Sequence, residues 1–304
     1  MKKIVIAGGT GFLGKVLVTY WKKSNYEIHI LSRKHHLDHD HVNYHKWDGK
    51  HLGYWTSILE NAAVLINLNG KSVDCRYTDK NKERIYDTRI EATYILGKAV
   101  LNCNNPPKLW INAASATIYR HSEDKEMDEA SGELGKGFSV DVCKKWEETF
   151  HSFELPSTRQ VLFRIGIVLG KHGGPMKPLT RLARLGFGGK QGSGKQYFSW
   201  IHEHDLANAF SFIILHTHLS GVFNLTVPEP ITNKRLMNSM RKANNRKFGL
   251  PMPKWLLALG ALLIRTETEL LLKSRRVVPK RLLNAGFNFK FDQLDNALIK
   301  LLNN

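Results

Sequence analysis

Gly8-Gly9-Thr10-Gly11-Phe12-Leu13-Gly14 constrains this chain more than any other stretch, because three glycines at G-x-x-G-x-x-G spacing follow a continuous apolar run and open a helical pattern. The periodicity predicts a strand over Lys3 to Ala7, a helix over Leu13 to Lys23 and a second strand over Glu27 to Leu31. Glycines at such a β-α junction permit a tight turn. They also let main-chain N–H groups approach a pyrophosphate, whose charge the positive end of the helix stabilises. Gly8, Thr10, Gly11, Phe12, Leu13 and Gly14 are therefore the expected dinucleotide cradle.

The second strand ends in Ser32-Arg33-Lys34, about 20 residues past the last glycine, where an NAD-specific site presents an acid to the ribose 2′-hydroxyl. A cation stands there instead. The planar fork of Arg33 suits a 2′-phosphate and Lys34 adds charge, so NADP(H) is expected over NAD(H).

Further apolar runs predict strands at Ala63 to Leu68, Lys108 to Ala113 and Thr158 to Ile165, with helices at Thr78 to Asn102 and Val140 to Phe153 between them. Runs without alternation are expected where both faces of a parallel sheet are covered. The fold class expected is α/β, a Rossmann-type doubly wound parallel sheet with a smaller, mostly helical C-terminal lobe. We expect residues 1–165 to form the cofactor-binding domain, with a return to it over about 195–226, and residues 166–304 to form the substrate lobe and C-terminal segment. The Gly-rich stretch Gly186 to Gly194, a helix running to about His216 and a strand at Val222 to Thr226 lie in that second part.

Composition narrows the partners. The chain has 304 residues, with 45 Lys and Arg against 27 Asp and Glu, a net charge of +18 that concentrates anionic ligands. The basic runs are short and lack interleaved stacking aromatics, which disfavours a nucleic-acid site. Cys75, Cys103 and Cys143 are widely spaced without a C-x-x-C, which argues against disulfides and a metal site and favours a reducing cytoplasm. The run Ile4 to Ala7 is too short for a signal-peptide core. Trp255 to Ile264, ten residues, falls well short of a bilayer span and reads as a core helix, so no membrane contact is expected.

The glycine spacing, taken with Ser115-Ala-Thr-Ile-Tyr119 after a strand, resembles the extended short-chain dehydrogenase/reductases, the superfamily of nucleotide-sugar epimerases and dehydratases. Gly189 to Trp200, Gly221 to Pro230 and Val278 to Phe289 narrow the likeness to a branch whose members are labelled epimerase-family proteins or cell-division inhibitors, with a C-terminal segment of unknown function. The resemblance covers essentially the whole chain. It implies that Ser115 polarises a substrate carbonyl at the nicotinamide edge, while a Tyr and a Lys four residues later move the proton. Aligned on Glu147, those two positions fall on Ser139 and Cys143. Neither can do the same work, so the family's acid/base pair is replaced or lost. Tyr119 is either a substitute phenol from the same loop or a core residue, and Cys143 either a thiol or a small buried hydrophobe.

By position, Asn69 and Gly70 resemble the turn beside the adenosine half, and Asp48 an acid near the adenine, unless it only forms its own turn. Arg164 is a ligand-facing cation or a strand-end ion pair. Lys195 and Gln196, directly after Gly192-Ser193-Gly194, are the candidate substrate contacts, and Asp205 is read as the cap of a helix. The expected function is NADP(H)-dependent hydride transfer on an anionic, nucleotide-linked or similar small molecule, in a chain that could form a homodimer. The alternative is a non-catalytic dinucleotide-sensing regulator that binds a protein partner.

Overall fold

The computed structural model describes residues 1–257 and 272–302. Its frame is a seven-stranded, wholly parallel sheet built from β1 (Lys2–Ala7), β2 (Tyr26–Ser32), β3 (Val42–Lys46), β4 (Val64–Asn67), β5 (Leu109–Ser115), β6 (Arg159–Ile165) and, returning late in the chain, β10 (Gly221–Leu225). The order is β10-β6-β5-β4-β1-β2-β3. Chain order reverses at β1, which lies between β2 and β4. In such sheets ligands bind outside the carboxyl ends of the strands, beside this switch point.

The apolar runs are continuous because both faces are buried. In β1, Ile4 and Ile6 join one core cluster with Leu17 and Trp21 of α1 (Phe12–Trp21) and Leu206, Phe210 and Ile213 of α5 (Glu203–Leu215). Val5 and Ala7 join the other, with Leu96 and Val100 of α2 (Asp79–Leu101) and Phe150 of α3 (Phe138–His151). Each strand residue is thus covered whichever way it points, and the expected doubly wound sheet is what forms.

The polar strand β3 escapes the apolar-run criterion. Val42-Asn-Tyr-His-Lys46 is an edge strand, so half its side chains stay wet, and its pairing with β2 holds it in place.

The remaining elements form small attachments: β7 (Ile167–Leu169) pairs with β9 (Trp200–His202), and β8 (Tyr197–Phe198) with β11 (Ile231–Thr232). Helices α4 (Met176–Arg184) and α6 (Asn233–Ala243) pack with the terminal helix Leu294–Leu302 in a third core around Trp200, Met237 and Leu298. Residues 274–278 are stitched to the rest through main-chain bonds from Ser122 to Ser274, Met127 to Arg276 and Val278 to Met127. Of the apolar stretch 255–264, only the first three residues lie among those described. Trp255 is exposed and Leu257 buried. Among the described residues, no helix is long and apolar enough to cross a membrane.

Asp205 is not the cap of α5. His202 takes that place, its Nδ1 accepting from the His204 N–H at 3.0 Å. Asp205 is wholly buried one turn inside, and its carboxylate accepts the main-chain N–H groups of Lys290 and Phe291 at 3.0 and 2.8 Å.

Candidate functional site at the carboxyl edge of the sheet

The expected cofactor residues come from separate loops that the parallel sheet delivers to one edge. Gly8 follows β1, Arg33 follows β2, Asp48 follows β3, Asn69 and Gly70 follow β4, and Ser115 ends β5. The turn at Gly8 is built for close approach. Gly8 has φ +79°, and a Cβ on it would meet the Leu68 main chain at 3.0 Å. A Cβ on Gly14 would lie 2.2 Å from the Gly9 carbonyl oxygen, so the first turn of α1 sits directly against the loop. Gly11 begins α1 with no side-chain cap, and the first helical turn carries no acid. The amides at that end are therefore left for an anion, which the helix dipole favours. The residues present suit a dinucleotide pyrophosphate.

Phe12 packs its ring against Gly170, Gly173 and Gly174, where added Cβ atoms would collide with it or with neighbouring atoms. Arg33 and Lys34 are exposed at the end of β2, and the Arg33 side chain makes no ion pair among the described residues. Asp48 behaves as a turn former: its carboxylate accepts the N–H groups of Lys50 and His51 and pairs with the His51 ring at 2.6 Å. The hydrogen bond from His51 and those two amides hold its pKa down at about 2.

Beside Asn69, a buried polar network ties the end of β4 to the middle of β5. Asn67 Nδ2 donates to Asn112 Oδ1 at 2.7 Å and to Thr93 Oγ1 at 2.9 Å, and the Trp146 indole N–H also donates to Thr93 Oγ1 at 2.8 Å. Asn67 Oδ1 accepts from the Asn69 main chain and side chain, which positions the turn. Buried and satisfied, such a network holds one geometry.

Ser115 is half-buried at the tip of β5. Its hydroxyl donates to Thr117 Oγ1 at 3.0 Å and accepts the Thr117 N–H, capping a 3-10 turn over Ala116–Ile118. Tyr119 is a core residue, wholly buried. Its phenol donates toward Asn224 Oδ1 and the Asp128 carbonyl and accepts from Arg164 Nη1 at 2.8 Å, and burial raises its pKa. Enclosed in this way, it offers no phenol to a ligand.

Arg164 forms a buried two-pronged pair with Glu147, at 2.7 and 2.9 Å, and its guanidinium stacks on the Tyr119 ring. Burial opposes its charge, yet the carboxylate holds its pKa above the usual arginine value. Of the two readings of Arg164, the ion pair is the one the structure shows. Cys143 is buried among Ala116, Ile118, Tyr119 and Val277, and burial pushes its thiol up to about 12, far from thiolate formation near neutral pH. Ser139, one turn earlier on α3, is half-buried with its Oγ 3.3 Å from the Tyr77 phenol.

Lys195 is exposed. Gln196 is buried, donating to the Gln191 carbonyl and accepting from Ser193, so it holds the glycine-rich loop together rather than facing outward. A groove of about 1010 Å³ runs along α1 and the β2–β3 strands, lined by Ile28, Ile30, Tyr44, His36 and Lys15 and, at the glycine turn, by Gly9, Thr10 and Phe12.

Several residues of this edge were not foreseen from sequence. Asn67, Asn112 and Thr93 sit inside runs that read as ordinary strand or helix. Arg89 lies within a helix rich in both charges. The one available signal was an Asn inside each of two successive buried apolar runs, residues that the sheet places side by side in register.

Comparison with known proteins matches this geometry. The NAD dependent epimerase/dehydratase family pattern covers residues 4–226, and a domain of unknown function, DUF1731, covers residues 252–301. An epimerase family protein of Staphylococcus aureus is 32% identical over 304 residues, and the human epimerase family protein SDR39U1 is 31% identical over 309 residues, with 99% of each chain covered in both cases. The crystal structure of the human protein, solved with NADPH, superposes with a TM-score of 0.87 at 29% identity over 99% of both chains. A nucleoside-diphosphate sugar epimerase from Corynebacterium glutamicum gives 0.78 at 27% identity, covering 99% of this chain and 58% of that one. With its glycine turn, its reversal of strand order at β1 and these full-length relatives, the chain belongs to the NAD-dependent epimerase/dehydratase family.

Proposed function

We propose that this chain is an NADP(H)-dependent oxidoreductase or epimerase-like enzyme acting by hydride transfer on an anionic small molecule. The observation that carries the reading is the uncapped start of α1 against Gly8, with the exposed Arg33 at the end of the next strand. The human relative bound to NADPH supports the choice of cofactor. Thr10, Phe12, Leu13 and Gly14 would hold the pyrophosphate through main-chain amides, while Gly8 and Gly11, whose own N–H groups donate to the Leu31 and Gly8 carbonyls, shape the turn that lets it approach. Arg33 and Lys34 would take the 2′-phosphate, and Asn69 and Gly70 would flank the dinucleotide.

When bound, the cofactor supplies a hydride donor or acceptor. Ser115 would orient a substrate carbonyl through its hydroxyl, exchanging its bond to Thr117 for one to the ligand. Lys195, exposed beside the glycine-rich loop, would contribute long-range attraction for an anion. A cytoplasmic setting fits three unpaired cysteines, and a homodimer is compatible with the reading.

The test is calorimetric titration with NADPH and NADH, followed by incubation with NADPH and a panel of carbonyl compounds and nucleotide sugars. Preferential NADPH binding with turnover supports the reading. Failure to bind either cofactor at millimolar concentration overturns it. Enclosure of Tyr119 and Cys143 favours a second reading, a cofactor-sensing regulator, for which cofactor binding without turnover and NADPH-dependent capture of a protein partner are expected.

A further inference from the structure

Arg89 stands near the middle of α2, and no carboxylate among the described residues pairs with it. Its guanidinium lies over the Trp146 ring, 5.2 Å from the centroid, and Nη1 donates to the Ile85 carbonyl at 2.9 Å. Burial depresses its pKa. Arg164, by contrast, is matched by Glu147 on both prongs. A half-buried cation without a counter-charge among the described residues is a cost that folding alone does not explain.

The rest of the guanidinium faces the ligand edge. A Cβ on Gly70 would lie 2.9 to 3.2 Å from Arg89 Cζ, Nη2 and Nε, so glycine alone lets the turn after β4 rest on it without displacing it. On α3, Ser139, Cys143 and Trp146 are spaced by four and three and share one face. Trp146 carries Arg89, Cys143 and Tyr77 both lie within electrostatic reach of it, and the Tyr77 phenol touches Ser139. One cation and two hydroxyls thus lie near one another on the Gly70 side of α2.

We propose that Arg89, flanked by Tyr77 and Ser139, receives the acidic group of the substrate, a carboxylate or a phosphate, on the Gly70 side of the cleft. This rests on reading the chain as a cofactor-dependent enzyme. A guanidinium with its plane fixed by stacking presents paired N–H donors to either oxyanion, and the hydroxyls orient the oxygens that remain. Binding would supply the counter-charge that the protein itself withholds.

The experiment uses the whole chain saturated with NADPH, so that the amides at the start of α1 and the Arg33 side chain are already engaged. Inorganic phosphate and acetate are then titrated separately, by calorimetry and by thermal unfolding. The wild type is expected to bind at least one of them and to unfold at higher temperature in its presence, and the tighter of the two identifies the group. Arg89→Met should weaken that binding by about tenfold or more while its anion-free unfolding temperature holds or rises, since an unmatched charge has gone. Tyr77→Phe should weaken it a few-fold, and Arg89→Lys should retain part of it.

Equal anion affinity in Arg89→Met and wild type overturns the proposal, as does a wild type that binds neither anion. Should Arg89→Met fail to fold, unchanged affinity in both Arg89→Lys and Tyr77→Phe does so. A wild type that does not retain NADPH refutes the proposed function instead, and the Arg89 dependence is then read from the same titrations on the cofactor-free protein.

Discussion

Replacing Gly14 by alanine sets two opposed effects against each other at one atom. Alanine in a helix is favoured over glycine by about 1 kcal/mol, so on propensity alone the substitution stabilises α1. The added Cβ, however, would lie 2.2 Å from the Gly9 oxygen and 2.4 Å from its carbonyl carbon and Cα, where ordinary contact begins at 3.4 Å. These are main-chain atoms of a turn that cannot rotate aside, so the start of α1 must withdraw by about 1 Å. Overpacking of this kind costs about 1–3 kcal/mol, which cancels or exceeds the helical gain.

Binding suffers more than stability. The displaced amides are those aimed at the pyrophosphate, and two weakened charge-assisted hydrogen bonds at about 1.5 kcal/mol each correspond to roughly a hundredfold loss of NADPH affinity. Calorimetric titration with NADPH, paired with thermal unfolding, measures both terms. Gly49→Ala is the control: Gly49 has φ +86° with nothing within 4 Å of an added Cβ, so a small loss of stability and no loss of affinity are expected. Wild-type NADPH affinity in Gly14→Ala would refute the reasoning.

Arg33→Asp should abolish the preference for NADPH over NADH, a shift of a few kcal/mol at most, read by titrating both cofactors against both proteins. Glu147→Gln leaves Arg164 buried beside a neutral partner and should destabilise the fold by about 3–5 kcal/mol in denaturant unfolding, with Glu147→Asp milder. His202 is nearly buried, and burial lowers its pKa to about 4. Its folded form resists a proton that the unfolded chain accepts, so its contribution to stability is complete above the ordinary histidine range and is lost as pH falls through about 4. His202→Asn, which can still cap α5, should flatten that part of the stability profile measured between pH 7 and 4.5. Cys143 should escape thiol reagents at pH 8 while the half-exposed Cys75 reacts, as mass spectrometry of the labelled protein would show.

The sheet was readable because its code is local: each apolar run is buried on both faces, and the glycines at Gly8, Gly11 and Gly14 sit where strand becomes helix. The same holds for Arg33, whose meaning depends on its distance from those glycines. What could not be read is whatever depends on a partner far along the chain. Tyr119 followed Ser115 at a suggestive interval, but Asn224, 105 residues away, meets its hydroxyl and Arg164 covers its ring. Gln196, just past two glycines, reads as a ligand contact, yet Gln191 and Ser193 engage it from within its own loop. Arg89 shows the converse. Its surroundings in sequence are those of a solvated helix, and only the approach of Gly70 and Trp146 makes it unusual. The strand Val42–Lys46 was missed because an edge position leaves polar residues free to alternate without penalty.

The carboxylate of Asp205 has a bearing on how this molecule can be divided. Its two oxygens are the acceptors for Lys290 and Phe291, so peeling the last fifty residues away would strand a charge in the interior of the helix that braces the sheet. A shortened chain ending near residue 250 should therefore aggregate or unfold rather than survive as a free-standing nucleotide module. Recombination with relatives would need to exchange this helix and that tail together.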